Sequence, residues 1–254
     1  MQKIFNTSIA AAAVLAVAGC ASHYQVGSVS RSRILIDSRY DSNRDAGAEA
    51  FIAPFRAKVD SVMSPVVGST ARPLAARQPE SPLSNLLADI LVWGSGPFGE
   101  TPDFAVYNMG GIRAAFPAGE ITYGDVLDVA PFENKICFCS LSGEKVTELF
   151  QQMAGFGGQG VSHGVEAVMN GERKLTGLKI NGKPVDPQRE YRIATLDYLA
   201  EGNDKLTAFL SKTKVVSPKE AKNNVRFIIV DYFKQKAAKG EAVDARVEGR
   251  FRAE

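Results

Sequence analysis

The chain has 254 residues, with 30 Lys and Arg against 28 Asp and Glu and only two His, for a formal charge of +2. The two signs are interspersed, which argues against a nucleic-acid binder, because that function ordinarily shows a basic stripe. Two histidines also fall short of the several His and Asp ligands that a two-metal phosphoesterase centre uses; an all-carboxylate site stays open, although nothing in the sequence marks one.

The N-terminus reads as a targeting segment. Lys3 precedes an apolar run over residues 8–18. That run is too short to cross a bilayer as a helix and fits the h-region of a signal peptide. It closes on Leu15-Ala16-Val17-Ala18-Gly19-Cys20. Small residues directly before a cysteine fit a lipoprotein cleavage site, with 1–19 as the signal peptide and Cys20 as the lipidated N-terminus. Ordinary cleavage beside an incidental cysteine is the competing reading. Acyl chains on Cys20 would hold the protein at a membrane without a spanning helix, which places it in a bacterial cell envelope, outside the cytoplasm. Residues 20–41 then serve as a polar tether, and 42–254 remain for one folded domain.

Helical periodicity runs over 46–63, with Ala50, Ile52, Phe55, Val59 and Val62 or Met63 recurring on one face, and Ser64-Pro65 stops it. Val66-Val67-Gly68 predicts a short strand. Ser81 caps a second helix with Pro82 at its first position; Leu83, Leu86, Leu87, Ile90 and Leu91 form its buried face. After a loop over 94–102, a strand is expected over 103–107 and a turn over 108–111. A short helix over 122–129, a strand over 136–140 and an amphipathic helix over 143–153 follow. Strands over 175–180 and 191–195, with Val185 between them, surround a hairpin turn at Asn181-Gly182. A long helix is expected over 218–238 and a closing strand over 247–251. Cys137 and Cys139 share one strand face, about 6.6 Å apart at the rise per residue, and read as buried strand residues rather than a redox pair. Helices and strands mix without strict alternation, so the fold class is α+β: a single domain with a mixed β-sheet flanked by helices.

Two catalytic strings stand outside the context they need. Gly155-Phe156-Gly157-Gly158-Gln159-Gly160 fits G-x-G-x-x-G, but a helix precedes it and none follows, so no helix N-terminus is offered to a phosphate. Gly160-Val161-Ser162-His163-Gly164 fits G-x-S-x-G, but a nucleophile elbow needs a later histidine, and none follows His163. No zinc-ligand spacing is present.

A different constellation carries chemistry. Asn108-Met109-Gly110-Gly111-Ile112-Arg113 follows a strand. Paired glycines allow close approach of backbone to a ligand, and the arginine fork suits phosphate or carboxylate. Further segments follow at 118–127, at Pro131-Phe132-Glu133-Asn134, and at Ala194-Thr195-Leu196-Asp197-Tyr198-Leu199-Ala200-Glu201-Gly202-Asn203-Asp204. In this order and spacing they resemble the C-terminal domain of 5'-nucleotidases and the related periplasmic UDP-sugar hydrolases, over about residues 41–251. The resemblance implies a nucleotide-binding domain. Phe132 and Tyr198 would clamp the nucleobase, Arg113 would hold phosphate, and Asp204 would accept from the ribose hydroxyls. Asn108 and Asn134 match positions that contact base or sugar. The position of Tyr198 is more often Phe in the family; tyrosine keeps the π-face and adds a hydroxyl.

This sequence departs from the family pattern in two places. Pro79 stands where the family places an arginine before the glutamate matched by Glu80, leaving Arg77 or Arg72 as substitutes. The family's Gly-Gly-Asp-Gly loop becomes Gly202-Asn203-Asp204-Lys205. The resemblance also implies that hydrolysis uses a metallophosphoesterase domain with Asp-x-His, Gly-Asn-His-Glu and Gly-His-x-His motifs, none of which occurs here. The expectation is therefore a chain with no catalytic residue and no cofactor of its own. It would bind a nucleotide or nucleoside, while a separate metallophosphoesterase chain carries the divalent metal pair. Two rivals are a non-catalytic nucleoside- or nucleotide-binding lipoprotein and a structural envelope protein with a decayed site.

Overall fold

The computed structural model describes residues 26–41 and 44–254; the expected signal peptide and Cys20 lie outside the described residues. Contacts divide the chain into one unit ending at Phe51 and a second from Ile52 to Glu254. The described residues of the first unit are exposed and include a short turn, Ser38–Tyr40, capped by the Asp37 carboxylate. Helix α1 (Ala46–Met63) crosses the division with the predicted bounds, and none of its residues is buried. Periodicity reports an apolar face, not what covers it. Among the described residues no helix is long and apolar enough to cross a membrane.

The second unit continues with β1 (Val66–Thr70), α2 (Pro82–Trp93), β2 (Phe104–Tyr107), β3 (Gly119–Thr122), α3 (Tyr123–Val129), β4 (Ile136–Ser142) and α4 (Gly143–Gly155). Then come β5 (Gly160–Val161), β6 (Val165–Met169), β7 (Leu175–Ile180), β8 (Lys183–Pro184), β9 (Glu190–Leu196) and α5 (Asp197–Ala200). The chain closes with β10 (Thr213–Val216), α6 (Val225–Ala238) and β11 (Phe251–Ala253). The central sheet has the order β10-β4-β9-β2-β5, beside a sheet β11-β6-β7-β8 and a ribbon β1-β3. It is mixed: β2 runs parallel to β9, whereas β4 pairs antiparallel with β9.

Local chemistry explains the elements. Ser81 accepts from the Ser84 N–H and Ser84 bonds back, a capping box that starts α2 with Pro82 in its first turn. Thr122 and Asp125 start α3 in the same way. Every apolar residue expected on the buried face of α2 is buried, and Val146, Leu149, Phe150 and Met153 bury one face of α4. The four residues of β2, Phe-Ala-Val-Tyr, are all buried, as a strand covered on both faces requires. Phe104, Phe150 and Phe251 pack in series through the core, with ring centroids 5.6 and 6.4 Å apart. Cys137 and Cys139 are buried and free.

Two elements start four or more residues later than expected. The last helix starts at Val225 rather than near Pro218, because Asn224 caps it by accepting from the Arg226 N–H after a 3-10 turn at Ala221–Asn223. The closing strand is Phe251–Ala253, parallel to β6. Residues expected to open it are bent away: the N–H groups of Glu248 and Gly249 donate to the buried Glu80 carboxylate at 2.8 and 2.9 Å.

Candidate functional site

Sheet topology brings three distant segments to one edge. The turn Asn108–Arg113 leaves the C-terminal end of β2, and Tyr198 leaves that of β9, the parallel neighbour. Because β4 runs antiparallel to β9, with Ile136 opposite Leu196, Phe132 and Asn134 enter at the same end. Asp197 ties the segments together: its carboxylate accepts from the Lys135 N–H at 3.0 Å, and its own N–H donates to the Lys135 carbonyl at 2.9 Å.

The result is a cleft of about 280 Å³ lined by Asn108, Gly110, Gly111, Arg113, Phe132, Asn134, Tyr198 and Asp204. Every substrate-binding candidate named from the sequence lines it except Arg77. Arg77 stands apart from this cleft. The Gln78 amide donates to the Phe156 and Gly158 carbonyls, Pro79 packs against Gly158, and Arg77 is exposed and absent from the lining. Arg72 is committed elsewhere, in a two-pronged ion pair with Asp244 at 2.6 and 3.1 Å. Larger hollows exist, one of about 600 Å³ beside Trp93, His163 and Tyr232, but none assembles the same set of flat rings, amide edges, carboxylate and guanidinium.

The lining residues are held in different ways. Phe132 is 48% and Tyr198 37% exposed, so both present ring faces to solvent. The Arg113 guanidinium lies 6.0 Å from the Phe132 ring centroid, within the range of a cation–π contact. Asn108 is buried; its Nδ2 donates to Asp204 Oδ2 at 3.0 Å. The Tyr198 hydroxyl donates to Asp204 Oδ1 at 2.9 Å. That bond to a carboxylate raises the Tyr198 pKa above the usual phenol value. Gly111 matters sterically, since a side chain there would place its Cβ 2.6 Å from Asn108 Oδ1.

Sequence reasoning missed the supports of this cleft. Arg226 on α6 donates to the carbonyls of Ala130 at 3.0 Å, Pro131 at 2.6 Å and Phe132 at 3.4 Å, holding the loop that presents Phe132. The buried Gln159 accepts from the Met109 N–H at 2.7 Å and fixes the glycine turn. Gln159 belongs to the G-x-G-x-x-G string, whose earlier glycines close a helix: the N–H groups of Gly157 and Gly158 bond back to Ala154 and Met153. Ser162 of the G-x-S-x-G string is buried and accepts from the Ala105 N–H, which makes it a strand-edge bond rather than a nucleophile.

Among the described residues no group of three or more His, Cys, Asp or Glu is arranged to hold a metal ion. The cleft itself offers one carboxylate, already bonded to two donors, with two carboxamides and a cation. That set does not fit a divalent metal pair.

Residues 65–211 match the family described as "5'-nucleotidase, C-terminal domain". The chain belongs to this family. Protein UshA of Escherichia coli strain K12 is 34% identical over 148 residues, covering 57% of this chain and 26% of UshA. Protein UshA of Salmonella pullorum is 42% identical over 106 residues, covering 40% of this chain and 19% of the relative. The chain thus matches only about a quarter or less of the length of these curated relatives. The 5'-nucleotidase precursor of Thermus thermophilus superimposes with a TM-score of 0.69 at 24% identity, over 82% of this chain and 43% of that one. The NAD nucleotidase of Haemophilus influenzae gives 0.61 at 19%, over 84% and 42%. These two likenesses show the shared fold, a mixed sheet flanked by helices. In this 5'-nucleotidase C-terminal domain, the helix that supplies Arg226 lies beyond the matched residues.

Proposed function

We propose that this chain is the nucleotide-binding half of a 5'-nucleotidase-type phosphohydrolase. Phe132 and Tyr198 stack on the base, Asp204 accepts from the ribose hydroxyls, and Asn108 and Asn134 contact base or sugar edges. Arg113 holds phosphate. A separate metallophosphoesterase chain supplies the divalent metal pair and the attacking water. The observation that carries this reading is the convergence of those residues in one cleft, in a chain whose described residues offer no metal-ligand cluster. Residues 42–254 form the binding domain, 20–41 the tether, and lipid on Cys20 anchors it at the cell envelope. Anchoring to the same membrane as its partner would raise the effective concentration of each for the other.

The test is phosphate release from AMP with and without a candidate metallophosphoesterase partner. Release should require the partner and should stop on chelation. Release by this chain alone that survives exhaustive chelation would end the half-enzyme reading.

A second reading, a lipoprotein that binds nucleosides or nucleotides without chemistry, draws on one observation. Arg113 is the one cation among the residues lining the cleft, with Pro79 in the place of a second arginine. Titration calorimetry separates the two: a phosphate role predicts that Arg113→Ala weakens AMP binding more than adenosine binding, and equal losses favour the second reading. A decayed site predicts no binding of adenosine, AMP, UMP or UDP-sugars.

A further inference from the structure

The sugar end of the cleft holds a hydrogen-bonded trio whose geometry asks for a particular ligand. Asp204 Oδ1 accepts from the Tyr198 hydroxyl at 2.9 Å and Oδ2 from Asn108 Nδ2 at 3.0 Å. Each oxygen of an ionised carboxylate has two acceptor positions, so one remains on each. Two residual acceptors on adjacent oxygens of one planar group match the two O–H donors of a vicinal cis-diol.

Asn108 adds an acceptor. Its amide orientation is fixed, since Nδ2 must face the acceptor-only carboxylate. Oδ1 is then buried with no partner on a residue only 4% exposed that lines the cleft. A buried acceptor left unpaired costs about 1–3 kcal/mol, which makes an arriving donor the natural way to satisfy it.

The trio is also under backbone tension. Asp204 and Lys205 both take positive φ, 53° and 58°, in the loop where the family's pattern has glycine after the aspartate. A conformation so disfavoured for side-chain-bearing residues persists where the surroundings over-determine it. Here the Tyr198 hydroxyl pins the Asp204 carboxylate, and the Asn203 amide donates to the Tyr198 carbonyl at 2.8 Å.

We propose that Tyr198 is a positioning residue as well as a stacking ring: its hydroxyl, with Asn108, presets Asp204 as a cis-diol receptor, so that the site selects ribonucleosides over their 2'-deoxy counterparts. This rests on the reading that the cleft holds a nucleoside moiety. A phenylalanine at this position would supply the ring without the hydroxyl, and Asp204 would have to be ordered by the ligand.

The experiment is titration calorimetry of adenosine and 2'-deoxyadenosine against the full chain, the Tyr198→Phe variant and the Asp204→Asn variant. The wild type is expected to prefer adenosine by about tenfold, the worth of one hydrogen bond to a charged group. Tyr198→Phe keeps the stacking surface, so adenosine should weaken more than 2'-deoxyadenosine and the preference should fall several-fold. Asp204→Asn should abolish the preference. A wild-type preference that Tyr198→Phe leaves unchanged overturns the positioning role and leaves the proposed function standing. Equal wild-type affinity for the two nucleosides overturns the cis-diol receptor but not nucleoside binding. Binding of neither nucleoside removes the proposed function and this inference together.

Discussion

Two polar clusters in this domain use the same residue types to opposite ends. Around Arg250, which is 4% exposed, the guanidinium donates to both Asp89 oxygens at 2.8 and 2.7 Å, to Glu248 at 3.0 Å and to the Val161 carbonyl at 3.0 Å. Nearby, the Glu80 carboxylate accepts from Asn85 and from two backbone N–H groups. Around Asp204 the ring of Tyr198 is part-exposed, the backbone is left-handed and each carboxylate oxygen has spare capacity. Both clusters contain an asparagine oxygen without a partner, Asn85 Oδ1 and Asn108 Oδ1, but only Asn108 lines the cleft. A charge whose bonding capacity is filled by its own chain ties elements together. A charge held in place with capacity left over, facing open space, can still accept hydrogen bonds.

Substitutions should separate the clusters. The largest effect is expected at Arg250→Leu, which strands Asp89 and Glu248. Removing one partner of a buried ion pair costs about 3–5 kcal/mol; about 3 is expected here, because Asp89 and Glu248 keep some access to solvent. Denaturant unfolding measures it, and adenosine affinity of the folded fraction should not change. Loss of affinity without loss of stability would reverse the assignment of roles.

Phe132→Ala should do the converse. Loss of a stacking platform removes about 1–3 kcal/mol of base binding, while the unfolding midpoint should hold, since the ring is half exposed. Arg226→Gln falls between them. It frees the loop carbonyls without touching ligand and should weaken adenosine by about 1 kcal/mol. Phe132→Ala and Arg226→Gln together should then be less than additive, because both act through one ring.

The smallest effect concerns pH. Glu248 has its pKa lowered, first by its hydrogen bond to Arg250 and then by His163. A folded-state pKa below the unfolded value of 4.5 means that the ionised group stabilises the fold above that pH. The contribution disappears as pH falls through the lower, folded value. Glu248→Gln should therefore flatten the stability curve below about pH 4.5 and leave its slope near neutrality unchanged. An unchanged curve below that pH would mean that the Glu248 ion pair contributes nothing to the fold.

How far the sequence disclosed this arrangement depended on whether the information was local. Ser81-Pro82 with leucines at helical spacing marked α2, and the Asn181-Gly182 turn marked its hairpin, because caps and turns are written in adjacent residues. Apart from the Gly110-Gly111 turn with Arg113, the cleft residues were legible only through resemblance, since Asn108, Phe132 and Tyr198 lie far apart in the chain and nothing in their spacing says that β2 and β9 are neighbours. Arg226 was hidden because Pro218 imitates a helix start, whereas the Asn224 cap decides the true one. Strand β11 was misplaced because a parallel partner, β6, selects its residues. The Tyr198–Asp204 bond was invisible because it depends on a backbone conformation that Lys205, unlike glycine, does not advertise.

The parallel pairing of β2 with β9 has a consequence in time. It joins residues about ninety positions apart; Thr195 Oγ1 donates to the Val106 carbonyl across 89 residues of chain. Pairings of such range close late, after the loop entropy they require has been offset by nearer contacts. The cleft straddles this seam, so its lining residues do not meet before the seam closes. Assembly of the cleft would therefore mark the completion of this sheet.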